Sequence, residues 1–289
     1  MQARGTVQKM VARAETPVRY ALPIGDGTID LSALIGSTLT LRSTGRIFCV
    51  YCDRITGKSY NQGYCFQCFQ KLAQCDGCIV APENCHYDAG TCREPVWGDH
   101  FCMQDHVVYL ANSSGLKVGI TRASQVPTRW IDQGATQALA ILRTRSRQQA
   151  GFCEAMFRAH VADRTNWRTM LKGEQQVLDL AAERDRLFSL CSNELKLLQL
   201  RFGLHAISVL TGVATVCLEY PLAAQPDKLV SLDLETAGAQ ASGTLLGIKG
   251  QYLVFDSGVL NVRKYTGYEL ELETGTPATA GTGTTMNLF

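Results

Sequence analysis

Nine of the chain's 12 cysteines fall between Cys49 and Cys102 in a sequence of 289 residues. That cluster limits the fold more than any other feature. The segment holding it has little continuous periodicity and cannot build an apolar core of its own, so disulfides or metal must hold it together. The flanking sequence decides between them. Residues 1–23 are interrupted by Arg4, Lys9, Arg13, Glu15 and Arg19, which leaves no secretory apolar stretch. The longest apolar run, residues 207–218, is too short for a bilayer and reads as a buried strand. A cytoplasmic, reducing setting with no membrane partner is expected, and there clustered cysteines bind metal rather than pair.

Cys49-Val-Tyr-Cys52 and Cys65-Phe-Gln-Cys68 are two pairs of thiols in C-x-x-C spacing. Each pair can grip one Zn2+ from a tight knuckle, and two knuckles close a tetrahedral site with no open position for chemistry. Cys75-Asp-Gly-Cys78 begins a second site. Cys102 and His106 are its preferred completion, and Cys85 and Cys92 are the rival pair. Two structural zinc ions are therefore expected. His86 and His100 read as loop histidines, and Cys153, Cys191 and Cys217 as buried small hydrophobes.

Around this module the chain divides by pattern into an α+β protein. Residues 1–47 alternate apolar pieces with turns, as a β meander does. Residues 48–106 hold the cysteines. Within 107–172, strands at 107–111 and 116–120 flank a turn at Asn112-Ser-Ser-Gly115, and helices are expected at 128–133 and 148–161. One long helix, 173–201, fills the segment 173–204 and stops at Gly203. Residues 205–273 are β-rich, with a hairpin of 251–255 and 259–263, and 274–289 form a Gly- and Thr-rich flexible tail. The terminal β pieces share Val18-Arg19-Tyr20 and Leu218-Glu219-Tyr220, which suggests one discontinuous, barrel-like domain.

Net charge is only +2, so bulk charge cannot recruit a polyanion; a local patch must. One exists. Between Arg122 and Lys172 stand Arg129, Arg143, Arg145, Arg147, Arg158, Arg164 and Arg168, opposed only by Asp132, Glu154 and Asp163. In an extended stretch Arg143, Arg145 and Arg147 would point to one side and, with Arg122, suit the phosphate backbone of DNA or RNA. Trp97, Trp130 and Trp167 read as core residues before they read as base-stacking platforms.

Val107-Val-Tyr109, Lys117-Val-Gly-Ile-Thr121, Arg129 and Glu154 follow one another at spacings that resemble the GIY-YIG nuclease superfamily. The sequence departs from that pattern at Val107, at Lys117 in place of a second tyrosine, and at Gln133, where a histidine often follows the arginine. The resemblance implies a three-layer core with the zinc-ribbon or zinc-knuckle module inserted beside it, and a metal-dependent endonuclease. In that reading Tyr109 is the base or water orienter, Arg129 stabilises the pentacovalent phosphate, and Glu154 holds one Mg2+ or Mn2+. Lys117 supplies charge or lowers the Tyr109 pKa. Each residue also has a plainer use: Arg129 can pair with Asp132, and Glu154 with Arg158, as surface ion pairs. A non-catalytic nucleic-acid or ribonucleoprotein binding module, or a zinc-dependent protein-interaction scaffold, are the alternatives.

Further strings are similar to a bacterial family catalogued as domain of unknown function 2797. They are Gly63-Tyr-Cys-Phe-Gln-Cys68, Cys85-His-Tyr87, Gly90-Thr-Cys-Arg-Glu-Pro95, Lys117-Val-Gly-Ile-Thr-Arg122, Pro127-Thr-Arg-Trp-Ile-Asp-Gln-Gly134 and Gly247-Ile-Lys-Gly-Gln-Tyr252. This likeness implies that the cysteine module and the hairpin core form one architecture.

Overall fold

Alternating burial shapes the strands of the N-terminal segment: β1 (Gln2–Thr6), β2 (Val11–Arg13), β3 (Arg19–Ile24), β4 (Gly27–Asp30) and the long β5 (Thr38–Ile47). β3 buries Tyr20, Leu22 and Ile24 on one face, and β5 buries Leu39 and Leu41. The structure is a computed structural model and describes residues 1–161, 164–172, 176–224 and 229–275. The cysteine-rich segment contributes only α1 (Phe66–Lys71), α2 (Pro95–Phe101) and single 3-10 turns. Then come β6 (His106–Asn112), β7 (Leu116–Arg122), α3 (Thr128–Asp132), β8 (Gln137–Thr144), α4 (Arg147–Arg158), α5 (Trp167–Lys172), α6 (Leu180–Leu190) and α7 (Ser192–Phe202). They are followed by β9 (Ile207–Val209), β10 (Val216–Cys217), β11 (Gln240–Lys249), β12 (Tyr252–Phe255), β13 (Gly258–Asn261) and β14 (Tyr268–Thr274).

Both ends of the chain meet in one six-stranded sheet of order β1-β14-β5-β11-β12-β13, antiparallel throughout. β2, β3 and β4 make a smaller antiparallel sheet that shares its core. The two Tyr-containing strings do pack together: the Val18 N–H donates to the Glu219 carbonyl at 2.8 Å. The unit is nevertheless an open sheet and not a barrel. Closure would require β13 to pair with β1, but the free edge of β13 is taken by the chain at Val230 and Leu232, which bond Val259 on both sides at 2.8 Å.

The central sheet runs β10-β8-β6-β7, with β9 also on β8. β6 lies inside it and all seven of its residues are buried. Its alternation splits them between two cores. Val107, Tyr109 and Ala111 join Trp130, Ile131 and the terminal β unit, while Val108 and Leu110 join Val118, Ala150, Cys153 and Phe157 beneath α4, α6 and α7. The sheet thus holds the β unit on one face and helices on the other.

Two further sequence expectations change. The single long helix is two, because Cys191 leaves helical geometry (φ −103°, ψ 19°) with its thiol buried. The break lets α7 fold back, so that Phe202 packs on Phe152 of α4 at 5.6 Å and Gln199 donates to the Ile207 carbonyl. Gly203 does end α7, at φ 98°. The apolar run 207–218 is not one buried strand: Gly212, at φ 74°, splits it into β9 and β10, most of whose residues are exposed, Cys217 among them. Residues 173–175 of the expected helix and 276–289 of the expected tail lie outside the described residues. No helix among the described residues is long and apolar enough to cross a membrane.

Candidate functional site

β6 and β7 pair so that Tyr109 stands opposite Gly119. The missing side chain at Gly119 is what seats the tyrosine, since a Cβ there would lie 2.7 Å from both Cζ and the hydroxyl of Tyr109. The ring also meets Trp130 of α3 edge-on, with centroids 5.9 Å apart. Its hydroxyl donates to Gln133 Oε1 at 2.9 Å and lies near the Arg129 guanidinium. Burial raises the Tyr109 pKa; Arg129 opposes that and Glu154 adds to it.

These groups open onto a cavity of about 520 Å³ at the β7 edge of the sheet. Tyr109 and Gly119 form its floor, α3 brings Arg129, Asp132 and Gln133, and α4 brings Arg147 and Glu154. Lys9, Arg122 and Arg263 complete the polar wall, and Ile79, Val80 and Pro82 of the cysteine module close one side. α4 can approach that module because Gly151 has no side chain: a Cβ there would strike Pro82 at 2.6 Å.

The wall is cationic. Among the described residues five cationic side chains face two carboxylates. Asp132 accepts from Lys9 at 2.8 Å and from Gln251 at 2.9 Å, tying the N-terminal arm and the C-terminal sheet to α3. Burial lowers the pKa of Arg147, of Arg263 and of Arg122, so each guanidinium sits where its charge is incompletely hydrated. Arg122 also lies 4.3 Å above the Phe101 ring. Such a setting favours an anionic guest, because neutralising half-desolvated cations is worth more than neutralising hydrated ones.

Of the residues read from sequence, Tyr109, Arg129, Glu154, Arg122 and Arg147 converge on this cavity. Lys117 does not line it: the side chain is buried and donates to Thr165 Oγ1 at 2.8 Å. Asp132, the partner anticipated for Arg129, pairs with Lys9 at 2.8 Å, and Arg158 reaches Glu83 at 2.9 Å. The arginine stripe is also broken. Ser146 caps α4 by accepting from the Gln149 N–H, which turns Arg147 into the cavity. Arg143 and Arg145 instead border a different opening, of about 760 Å³, with Gln104, Asp105 and His205. There Arg143 is ion-paired with Asp105, and no comparable set of reactive groups converges. Lys9, Arg263 and the apolar Ile79–Pro82 wall were not legible locally, being brought in from segments distant in sequence. Trp130 is buried, while Trp97 and Trp167 stack on Phe101 at 4.4 Å and on Tyr252 at 5.8 Å.

The cysteine module places Cys49, Cys52, Cys65 and Cys68 with their ligand atoms within 4.8 Å of one another. Burial alone would raise the Cys49 thiol, but N–H groups of Cys65, Cys52 and Tyr51 point at it and hold it near a pKa of about 6. Four thiols so disposed, with backbone donors that stabilise thiolate, suit a structural Zn2+. Cys75 packs against this cluster beside Leu72. His106 is buried, with Nδ1 2.7 Å from the Gln104 carbonyl.

A family model described as "Protein of unknown function (DUF2797)" matches residues 36–270, a span that contains the cysteine module, the central sheet and most of the terminal β unit. Neither the curated proteins nor the solved structures contain a match to this chain.

Proposed function

The chain belongs to this family of proteins of unknown function, and we propose that it is a zinc-stabilised, GIY-YIG-like hydrolase of phosphodiester bonds in DNA or RNA, with the 520 Å³ cavity as its active site. One observation carries the reading: Tyr109, Gly119, Arg129 and Glu154, drawn from two strands and two helices, face a single cavity whose wall is otherwise cationic. A phosphodiester needs that combination, because its transition state gathers negative charge that must be met without bulk water.

In this reading Arg122, Arg147, Arg263 and Lys9 bind the backbone phosphates on either side of the scissile one. Arg129 meets the charge that builds on the scissile phosphate. Tyr109 stays protonated at neutral pH, because burial raises its pKa, so it positions Arg129 and the attacking water and does not act as an ionised base. Glu154 would hold one Mg2+ or Mn2+, an oxygen ligand being what either ion prefers, and the ion when bound would polarise the phosphate and lower the pKa of water. Lys117, directed at Thr165, supports β7.

Binding without turnover is the second reading, favoured by the full burial of Tyr109, which limits what its hydroxyl can reach. Binding of fluorescent single- and double-stranded DNA and RNA, measured against salt with and without Mg2+ or Mn2+, separates the cases. The hydrolase reading expects salt-sensitive binding that weakens in Arg263→Ala and product formation once the ion is added. Intact substrate under every ion would establish the second reading, and no binding at low salt would remove both.

A further inference from the structure

With Cys49, Cys52, Cys65 and Cys68 gathered in one cluster and Cys75 packed against it, Cys78, Cys85, Cys92 and Cys102 remain within the module. They lie in a stretch whose regular structure is two 3-10 turns, Gly77–Ile79 and Pro82–Asn84, and the short α2. None of the four belongs to an apolar cluster among the described residues. Burial among hydrophobes therefore does not account for them.

The segments that carry them nevertheless converge. Two consecutive residues of α4 hold three of the segments: the Arg147 N–H donates to the Cys102 carbonyl at 2.8 Å, its guanidinium to the Ile79 carbonyl at 2.6 Å, and Gln148 Nε2 to the Cys85 carbonyl at 2.8 Å. The fourth meets α2, since a Cβ on Gly98 would stand 3.6 Å from Cys92 Sγ. The Gly98 carbonyl in turn accepts from the Cys102 N–H at 2.7 Å. A short stretch with no apolar core of its own, anchored at three points on one helix turn, is the setting in which four thiolates around one ion hold the loops in place.

We propose that Cys78, Cys85, Cys92 and Cys102 bind a second structural Zn2+. The set differs from the completion by Cys75 and His106 that spacing alone favours. A competing set is Asp76, Cys78 and His86, whose ligand atoms lie within 4.8 Å of one another. Its acid and imidazole are already engaged: Asp76 accepts from Arg93 at 2.8 Å and faces His86 Nε2 at 3.4 Å, while His86 Nδ1 lies 2.8 Å from Thr91 Oγ1. That chain supports the loop around the thiols from outside. The second ion pins Ile79–Pro82 against α4 and so builds one wall of the cavity. The assignment does not depend on the hydrolase reading.

Native mass spectrometry of the purified full-length chain tests it. Two zinc ions per chain are expected, falling to one in Cys92→Ser and one in Cys52→Ser, with both retained in His86→Ala. One ion in the wild-type chain, or two in Cys92→Ser, would overturn the proposal. So would loss of an ion in His86→Ala, which would assign the site to Asp76, Cys78 and His86. Should Cys92→Ser fail to fold, the cobalt-substituted wild-type chain decides. Two Co2+ ions with equal thiolate charge-transfer bands support the proposal, and a weak band for the second ion overturns it.

Discussion

Gly119 and Tyr109 show what a single position controls. The glycine's negative φ leaves any residue conformationally admissible, so the constraint is space: a methyl would sit 2.7 Å from the tyrosine ring and hydroxyl. Gly119→Ala should therefore displace Tyr109 and cost about 1–3 kcal/mol of stability, read from chemical unfolding. Unchanged stability would mean that the ring has room to move. His106 carries a second residue-scale prediction. Burial, with Arg147 and Arg122, holds its pKa at about 4 against an ordinary 6.5, although the Gln104 carbonyl opposes them. The unfolded chain therefore takes up a proton as pH falls through 6.5, and the folded chain does not until pH nears 4. The stabilisation is complete above pH 6.5 and is lost progressively below it. Between pH 7 and pH 5 the wild-type chain should lose roughly 2 kcal/mol more than His106→Gln in urea unfolding. Equal losses would place the pH dependence elsewhere.

At the scale of elements, the hairpin β6–β7 and the helices after it were legible because their signals are local: short apolar runs, a Ser-Ser-Gly turn, and a glycine stop. What failed did so for reasons of context. The 173–201 pattern carries a continuous apolar stripe, but only packing on α4 and β9 reveals the break at Cys191. The arginine stripe assumed extended backbone through Ser146, whereas Ser146 caps a helix. Ser146→Ala should cost about 1 kcal/mol and loosen the first turn of α4, where Arg147 and Gln148 hold the cysteine module. Amide exchange at 148–150 reads that loosening, and unaltered exchange would show that tertiary contacts alone fix the turn.

For the whole molecule, the cavity is a junction. The central sheet supplies its floor, α3 and α4 its reactive groups, the cysteine module an apolar wall, and the two chain ends Lys9 and Arg263. The zinc-ligand spacing and the order Tyr109, Arg129, Glu154 could be read from sequence because each lies within a local motif. The rest could not, because Asp132 reaches Lys9 and Gln251 only once both ends of the chain share one sheet around α3. If this junction cleaves phosphodiesters, as proposed, initial cleavage rates with Mg2+ or Mn2+ reveal it. The wild-type chain should cut a DNA or RNA substrate, and Arg129→Ala should slow that about 10²–10³-fold with zinc content and folding preserved. Glu154→Gln should abolish the dependence on the added ion along with the activity. Cleavage that persists unchanged in both variants, or a folded wild-type chain that cuts neither DNA nor RNA with either ion, would mean that this cavity is not a phosphodiesterase site.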